Sequence, residues 1–471
     1  MSGDFPMLAF AVFVVLAAGM AVFYAVVREP RRYFRVERFA YAWPLGMAAL
    51  GLPMFLMSLA GMRLSVVAIS AVVAAGWLVA WACRRTPLRE YWTARDTVEA
   101  THVSLTEFEW VLVFIILGCL GTRAVACLLT PMVDWDGIAT WGLKAKILYF
   151  GTLQDSGDYF HNAEYRCTNQ AYPLLCPLLY AWVCTVLGRW DDLRMFIINP
   201  IHFTAFIGLV YFTLRKLTSR RSALVVTAIA VSLPSTMHYV ECAQSDVPLM
   251  LLSGAATFCL VDWMRHRRVE SVLLAGILMG GAMFAKEEGR GMFAAQMCAI
   301  ALAAWFGADR KRSLRDVAIF FGIGCVLILP WSLFHRTIPP WYQYFNPLGF
   351  HTLRWSQIGG WCKTVWDNAT HFYNGAGLPK WNFLWPILAV LVLLSRSPRR
   401  SPWNYILLIS ILHAMAISVV WLCSTIEFTP GNNEFAYERN TLILLPPLWI
   451  VLAACVEEWW AAWRSNQSSP V

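Results

Sequence analysis

The stretch FEWVLVFIILGCLGTRAVACLLTPMVDWDG, residues 108–137, decides the fold class of this 471-residue chain. Residues 108–130 are apolar over a length that crosses a bilayer as a helix. Asp134 and Asp136 follow directly, at the expected boundary between membrane and water, where desolvation of a carboxylate is costly. This placement indicates a functional role for Asp134-Trp135-Asp136, although acidic residues are also common in ordinary hydrophilic loops.

The rest of the chain has the same apolar character. Hydrophobic residues make up 58% of it and charged residues 14%, and its mean hydropathy is +0.53. This composition predicts an all-α polytopic membrane protein. About thirteen transmembrane helices are expected, over residues 7–27, 41–61, 64–83, 108–130, 195–214, 222–240, 246–263, 271–285, 290–306, 316–335, 381–396, 403–423 and 441–460.

Basic residues indicate the orientation of these spans. They concentrate in the short loops 28–38, 84–89, 215–221, 265–268, 310–312 and 396–400. All six loops are cytoplasmic if the N-terminus is outside and the apolar run 172–188 does not cross the membrane. That run is short and contains Pro173 and Pro177, so we expect a re-entrant or interface-lying helix. The net charge of +9 comes from these loops and does not indicate a nucleic-acid partner.

The prominent charged residues outside these loops collect on the predicted outer face, in the loops 131–194, 336–380 and 424–440 and in the turns near Asp246 and Lys286. Long outward loops of this kind are usually functional. We expect residues 1–105 to form a three-span N-terminal extension, 106–460 the core, and 461–471 a cytoplasmic tail. The expected location is the inner, or plasma, membrane, with the site facing the outside or the periplasm.

Several of these residues also have simpler explanations. Between Asp136 and Phe150 the apolar residues recur at helical spacing, which predicts an interfacial helix that Asp136 could merely cap. Asp246 opens an apolar run and could likewise be a helix cap. The turn 286–290 could be a plain hairpin, yet Lys286 and Arg290 on the outer face oppose the usual charge distribution and suggest phosphate binding.

The order of these features resembles the GT-C superfamily of integral-membrane glycosyltransferases, especially the protein O-mannosyltransferases and the lipid A aminoarabinose transferases. The matching features cover residues 108–460. They are Asp136 with Gly151 fifteen residues on, the Tyr172-Pro173 start of a second juxtamembrane helix, Arg194 opening a span, Asp246 heading a later one, Lys286 after Gly276, Gly280 and Gly281, and Arg439 before Pro446-Pro447.

The chain also departs from the superfamily pattern. Gly137 follows Asp136 where an acidic pair is common, which leaves Asp134 as the near acidic partner. No Lys precedes Tyr172, so one phosphate contact of the aminoarabinose transferases is missing. Three spans precede the acidic loop instead of one.

The resemblance implies an inverting glycosyltransferase that takes a sugar from a polyprenyl phosphate on the outer face and gives it to a glycan, lipid or protein acceptor. Asp136, with Asp134, would be the catalytic base. The implied roles of the other residues are donor-phosphate binding by Arg194, Lys286, Arg290 and Arg439, a second acidic site of Asp246, Glu241 and Glu288, and stacking on acceptor or sugar by Trp141, Tyr172, Trp341 and Tyr342.

Three alternatives remain open. No cofactor is required by the resemblance, but a divalent metal, Mg²⁺ or Mn²⁺, on Asp136 and Asp246 is compatible with it. The aromatic loop 336–380 could also lie on the bilayer interface instead of on a sugar. A secondary transporter or lipid-linked sugar flippase has a similar composition, and would be expected to place its charges near the middle of the membrane.

Overall fold

The structure is a computed structural model of the whole chain. It describes residues 3–84, 87, 91, 104–132, 134–155, 157–242, 244–339, 355–371, 384–400, 402–423 and 439–467. Helices, turns and loops account for all of these residues, and no strand occurs among them. The predicted all-α class is therefore confirmed.

The α-helices follow one another along the chain. They are α1 Phe5–Val26, α2 Arg35–Leu59, α3 Val66–Arg84, α4 Glu107–Leu129, α5 Leu143–Phe150, α6 Gly157–His161, α7 Leu175–Leu187, α8 Ile198–Leu217, α9 Arg220–Ser232, α10 Pro234–Glu241, α11 Asp246–His266, α12 Val269–Ala285, α13 Glu288–Trp305, α14 Arg310–His335, α15 Ile358–Thr370, α16 Leu384–Leu394, α17 Trp403–Cys423 and α18 Leu445–Gln467.

Each of the thirteen predicted membrane stretches overlaps a helix. Within the described residues, eight helices are long and apolar enough to span a bilayer, or nine if α9 and α10, bent by 56° at their break, form one span. The bend comes at Pro234, which cannot continue the hydrogen-bond ladder of α9. The polytopic fold is confirmed, and the total of thirteen spans stays a prediction, because helices such as α12 and α16 are short.

The first two spans are part of the helical core. A Cβ atom on Gly19 would lie 1.7 Å from the carbonyl oxygen of Ala42, and one on Gly46 would lie 1.9 Å from that of Val15. Glycine at these two positions therefore lets α1 and α2 approach closely, as small residues do between membrane helices. Because α2 also packs against α8 and α12, it connects the N-terminal spans to the rest of the bundle. The division at residue 105 stays a prediction.

The apolar run 172–188 forms α7, which has 13 residues. Nearly all of its side chains are buried, and it packs against α1, α2 and α5. A helix lying on the membrane interface would keep one face exposed. Because α7 is enclosed by protein and too short to span a bilayer, its packing favours the re-entrant alternative.

Much of the two later outward loops lies outside the described residues. These include Trp341 and Tyr342, and positions 424–438 of the loop 424–440. Within the loop 336–380, α15 is described, and the loop 424–440 is described only from Arg439 onward. The roles predicted for Trp341 and Tyr342 therefore stay predictions.

Candidate active site

The acidic motif lies at the start of a short helix, as the sequence predicts. A π-helical turn, Asp136–Gly142, continues directly into α5. The backbone N–H of Gly137 donates to Asp134 Oδ2 at 2.9 Å, so Asp134 supplies the cap. Asp136 is thereby left for another contact, and its carboxylate pairs with the guanidinium of Arg439. Helix capping alone does not explain Asp136.

A second carboxylate is held by a buried lysine. Asp246 opens α11, and its Oδ1 accepts a hydrogen bond from Lys286 Nζ at 2.8 Å. The same Nζ lies 2.9 Å from Glu288 Oε1, at the start of α13. The side chain of Lys286 is only 1% exposed and that of Asp246 only 4%. Asp246 is therefore an ion-pair partner rather than a simple helix cap.

The turn between α12 and α13 is unusually tight. Lys286 has an extended backbone, and α13 starts two residues later. A Cβ atom on Gly289 would lie 2.5 Å from the carbonyl oxygen of Ala282, so only glycine fits there without a shift of the backbone. This close approach keeps Lys286 and Glu288 next to the first turn of α11.

Arg439 joins the two acidic positions. Its Nη1 pairs with Asp136 and also donates to Gln244 Oε1 at 3.1 Å, while its Nε lies 3.6 Å from Asp246 Oδ2. Gln244 Nε2 in turn donates to Asp134 Oδ2 at 2.7 Å. The result is one connected group, here named the charged cluster, which consists of Asp134, Asp136, Gln244, Asp246, Lys286, Glu288 and Arg439.

An aromatic pair joins the helical turn that contains Asp136 to the segment before α7. The rings of Trp141 and Tyr172 stack with centroids 5.6 Å apart. Lys144 Nζ lies 5.6 Å from both ring centroids and donates to the carbonyl oxygens of Asn169, at 2.6 Å, and Tyr172, at 3.3 Å. Burial lowers the pKa of Lys144 well below its usual value. Trp141 is buried in this contact and presents no free face for a sugar.

Arg290 lies beside the cluster, in the first turn of α13. Its Nη1 lies 2.9 Å from Glu287 Oε2, and its side chain is 42% exposed. Burial raises the pKa of Glu287 to about 7. Arg290 is therefore the most exposed of the four cations predicted to hold a phosphate.

Two predicted site residues have other partners. Arg194 Nε lies 3.6 Å from Asp4 Oδ2, and Asp4 also accepts two hydrogen bonds from Arg189, at 3.0 and 2.8 Å. Glu241 pairs with Arg123 on α4. Neither contact connects Arg194 or Glu241 to the charged cluster, so both predicted roles depend on rearrangement.

Gln244 and Lys144 were not among the site residues predicted from the sequence. Gln244 belongs to the polar segment just before Asp246, and this proximity is its only sequence signal. Lys144 shares a helix face with Asp136 and Thr140 at a spacing of four residues. This spacing places Lys144 on the same face as Asp136 but does not identify its hydrogen-bond partners. Both side chains form hydrogen bonds to segments that are distant in the chain.

A cationic side chain separates the two carboxylates that the sequence suggested as metal ligands, Asp136 and Asp246. Among the described residues, no group of three or more His, Cys, Asp or Glu side chains is placed to hold an ion. The guanidinium of Arg439 lies between Asp136 and Asp246, the two residues that a shared metal would need. One cationic side chain thus contacts both carboxylates.

One protein-family model matches part of the chain. Residues 172–334 match the model described as dolichyl-phosphate-mannose-protein mannosyltransferase. This segment contains Asp246, Lys286 and Arg290 but neither Asp136 nor Arg439. No curated protein sequence matches the chain.

Two solved structures are similar in fold. One is the crystal structure of ArnT from Cupriavidus metallidurans bound to undecaprenyl phosphate, with 15% identity, a TM-score of 0.50, and coverage of 77% of this chain and 63% of that chain. The other is the archaeal oligosaccharyltransferase AglB from Archaeoglobus fulgidus in complex with an inhibitory peptide and a dolichol-phosphate, with 14% identity, a TM-score of 0.45, and coverage of 77% and 53%. The chain thus spans less than two thirds of either protein. The likeness to ArnT concerns the fold. Together with the family model over residues 172–334, it supports the resemblance to the GT-C superfamily of integral-membrane glycosyltransferases that the sequence shows.

Proposed function

We propose that the chain is an inverting glycosyltransferase that moves a sugar from a polyprenyl-phosphate donor to an acceptor on the outer face of the membrane. The observation that carries the proposal is the pair formed by Asp136 and Arg439 at the edge of the charged cluster. It places a carboxylate suited to proton transfer next to a guanidinium suited to binding a phosphate.

Exposure distinguishes the two aspartates that contact Arg439. The side chain of Asp136 is 31% exposed, whereas that of Asp246 is 4% exposed. A general base must come within hydrogen-bond distance of the proton that it removes. Asp136 is accessible to an acceptor hydroxyl, and Asp246 is enclosed by Lys286 and Arg439. We therefore assign the base to Asp136 and a charge-balancing role to Asp246.

Arg439 connects donor binding to the availability of the Asp136 carboxylate as a base. A donor phosphate would compete with Asp136 for the same guanidinium, because arginine binds carboxylate and phosphate through the same planar N–H fork. When the phosphate takes this contact, the carboxylate of Asp136 loses its partner and becomes available for a proton. The base is thus freed only when a donor is bound.

The bond changes follow from these positions. Asp136 takes the proton of the acceptor hydroxyl, and the acceptor oxygen forms a bond to the anomeric carbon. The bond between that carbon and the phosphate oxygen breaks, and its electron pair leaves with the lipid phosphate. Because attack and departure occur on opposite faces, the anomeric configuration inverts. Cations next to the departing phosphate stabilise its growing charge.

The remaining cations have different surroundings. Lys286 is buried between Asp246 and Glu288, so we assign it to positioning these carboxylates rather than to direct phosphate contact. The exposed Arg290 can reach a ligand if it leaves Glu287. Arg194 would first have to exchange Asp4 for the donor. Arg439 and Arg290 are thus the first choices for the donor phosphate.

The test is sugar transfer by purified protein in lipid nanodiscs supplied with a panel of radiolabelled polyprenyl-phosphate sugars. We expect the label to pass to an acceptor in a product whose anomeric configuration, read by NMR, is inverted relative to the donor. A retained configuration would exclude direct attack by the acceptor. In sealed proteoliposomes, movement of intact donor across the bilayer without cleavage would instead favour the flippase alternative.

We expect the activity to persist after removal of divalent metal. Because the guanidinium of Arg439 already lies between Asp136 and Asp246, dialysis against EDTA should change the transfer rate by less than about twofold. The rate is measured before and after EDTA, with Mg²⁺ or Mn²⁺ added back. The cluster has four carboxylates and two cations. If EDTA abolished transfer and Mg²⁺ or Mn²⁺ restored it, the surplus negative charge of the cluster would serve metal binding. That result would contradict the proposal.

A further inference from the structure

A polar cavity lies at the opposite end of the bundle from the charged cluster. It has a volume of about 530 Å³ and is lined by α2, by the C-terminal ends of α8 and α11, and by the segments beside them. Helix α11 begins at Asp246 in the charged cluster and ends at His266 beside the cavity. At 1.5 Å per residue, the two ends of this helix are roughly 30 Å apart.

Cations outnumber acids in the lining of this cavity. Asp262 is its one acidic side chain, against the five cations Arg32, Arg215, Lys216, Arg265 and Arg268. Arg268 Nη1 lies 3.4 Å from Asp262 Oδ1. Lys216 pairs with the buried Glu37, and its Nζ lies 4.5 Å from the ring centroid of Tyr33. Arg32 pairs with Glu29. Three of the five charges are therefore balanced by a carboxylate.

The other two guanidinium groups have no such balance. Within the part of the chain that the structure describes, no carboxylate lies within 4 Å of Arg215 or Arg265. The one hydrogen bond that holds Arg265 is to a neutral group, the carbonyl oxygen of Lys216, at 3.3 Å. Like charges around a concave surface repel one another, and an anion in the cavity would remove this repulsion.

We propose that this cavity binds a phosphate group, either in the head group of an anionic phospholipid or as a free phosphate anion. The planar fork of an arginine matches the oxygens of a phosphate. The basic loops 28–38, 215–221 and 265–268 meet here, which places the cavity in the cytoplasmic leaflet by the positive-inside rule. Basic pockets between helices on that side bind anionic head groups. The proposal does not depend on the reaction assigned to the charged cluster.

The test compares two charge-matched double variants. Arg215→Gln with Arg265→Gln removes the two unbalanced cations but keeps much of each side-chain stem. Arg310→Gln with Lys311→Gln removes two charges from another basic loop, outside the cavity lining. Binding of phosphatidylglycerol is followed by native mass spectrometry with phosphatidylcholine as reference, and binding of inorganic phosphate by thermal shift. Size-exclusion profiles show that each variant is folded.

We expect the first double variant to bind at least about tenfold more weakly than the wild type, and the second to bind normally. A loss seen with phosphatidylglycerol alone identifies a lipid head group as the ligand, and a loss seen with inorganic phosphate identifies a soluble anion. Equal binding by the wild type and the first variant, or an equal loss in both variants, would overturn the proposal.

Discussion

Replacement of Asp136 by Asn is expected to lower the rate of sugar transfer by about 10³-fold, because an amide cannot accept the proton of the acceptor hydroxyl. The same change should leave binding of the lipid phosphate intact or strengthen it, since Arg439 no longer has Asp136 as a competing partner. Single-turnover transfer from a radiolabelled donor measures the first effect. Native mass spectrometry of bound polyprenyl phosphate measures the second.

Asp155→Asn is the matched control for this variant. Asp155 lies in the same loop, residues 131–194, and its carboxylate accepts hydrogen bonds from the backbone N–H and the hydroxyl of Thr152 rather than from a member of the charged cluster. We expect it to keep nearly the full transfer rate. Normal transfer by the Asp136→Asn protein would refute the assigned base. An equal loss in both variants would point to folding of the loop instead of proton transfer.

The local features of the site could be predicted from the sequence. The apolar run before Asp134 and the helical spacing after Asp136 are properties of neighbouring residues, and the structure has a helix at each place. The break at Lys286 is also local, because the charged residues 286–290 interrupt an apolar stretch. Hydropathy and periodicity are sufficient for such features.

The contacts within the cluster could not be predicted in the same way. Arg439 and Asp136 are 303 residues apart in the chain, and Gln244 and Asp134 are 110 apart. No periodic pattern connects such positions, and many pairings would satisfy the same charges. The sequence therefore indicated the residue types at the site but not the guanidinium that joins its two aspartates.

Arg194 has a partner in the N-terminal spans that the resemblance did not predict. Its place at the head of a span matched the superfamily pattern, in which one span precedes the acidic loop. Here α1 brings Asp4 within 3.6 Å of Arg194, a partner that the pattern does not contain. Glu241 is a second example. It ends α10, the helix that follows the bend after α9, and it pairs with Arg123 instead of joining the charged cluster. Such differences arise from packing and not from local sequence.

Replacement of Lys286 by Met is expected to cause the largest loss of stability among the variants considered. The change leaves Asp246, whose side chain is 4% exposed, and Glu288, whose side chain is 20% exposed, without their shared cation. Arg439, with its Nε 3.6 Å from Asp246 Oδ2, remains beside Asp246. Removing one partner of a buried ion pair costs about 3–5 kcal/mol, because the remaining charge is neither solvated nor balanced. Thermal unfolding in detergent should show a clear decrease in the melting temperature of the Lys286→Met protein.

Two further variants test whether burial is the cause of this loss. Lys363→Met breaks an ion pair with Asp367 on α15, where the lysine side chain is 66% exposed, so its cost should not exceed about 1 kcal/mol. Lys286→Met combined with Asp246→Asn should recover part of the lost stability, because the second change removes the more deeply buried of the two carboxylates that Lys286 contacts. If Lys286→Met were no more harmful than Lys363→Met, or if the double variant were less stable than Lys286→Met alone, Lys286 would not act as the shared counter-ion of Asp246 and Glu288.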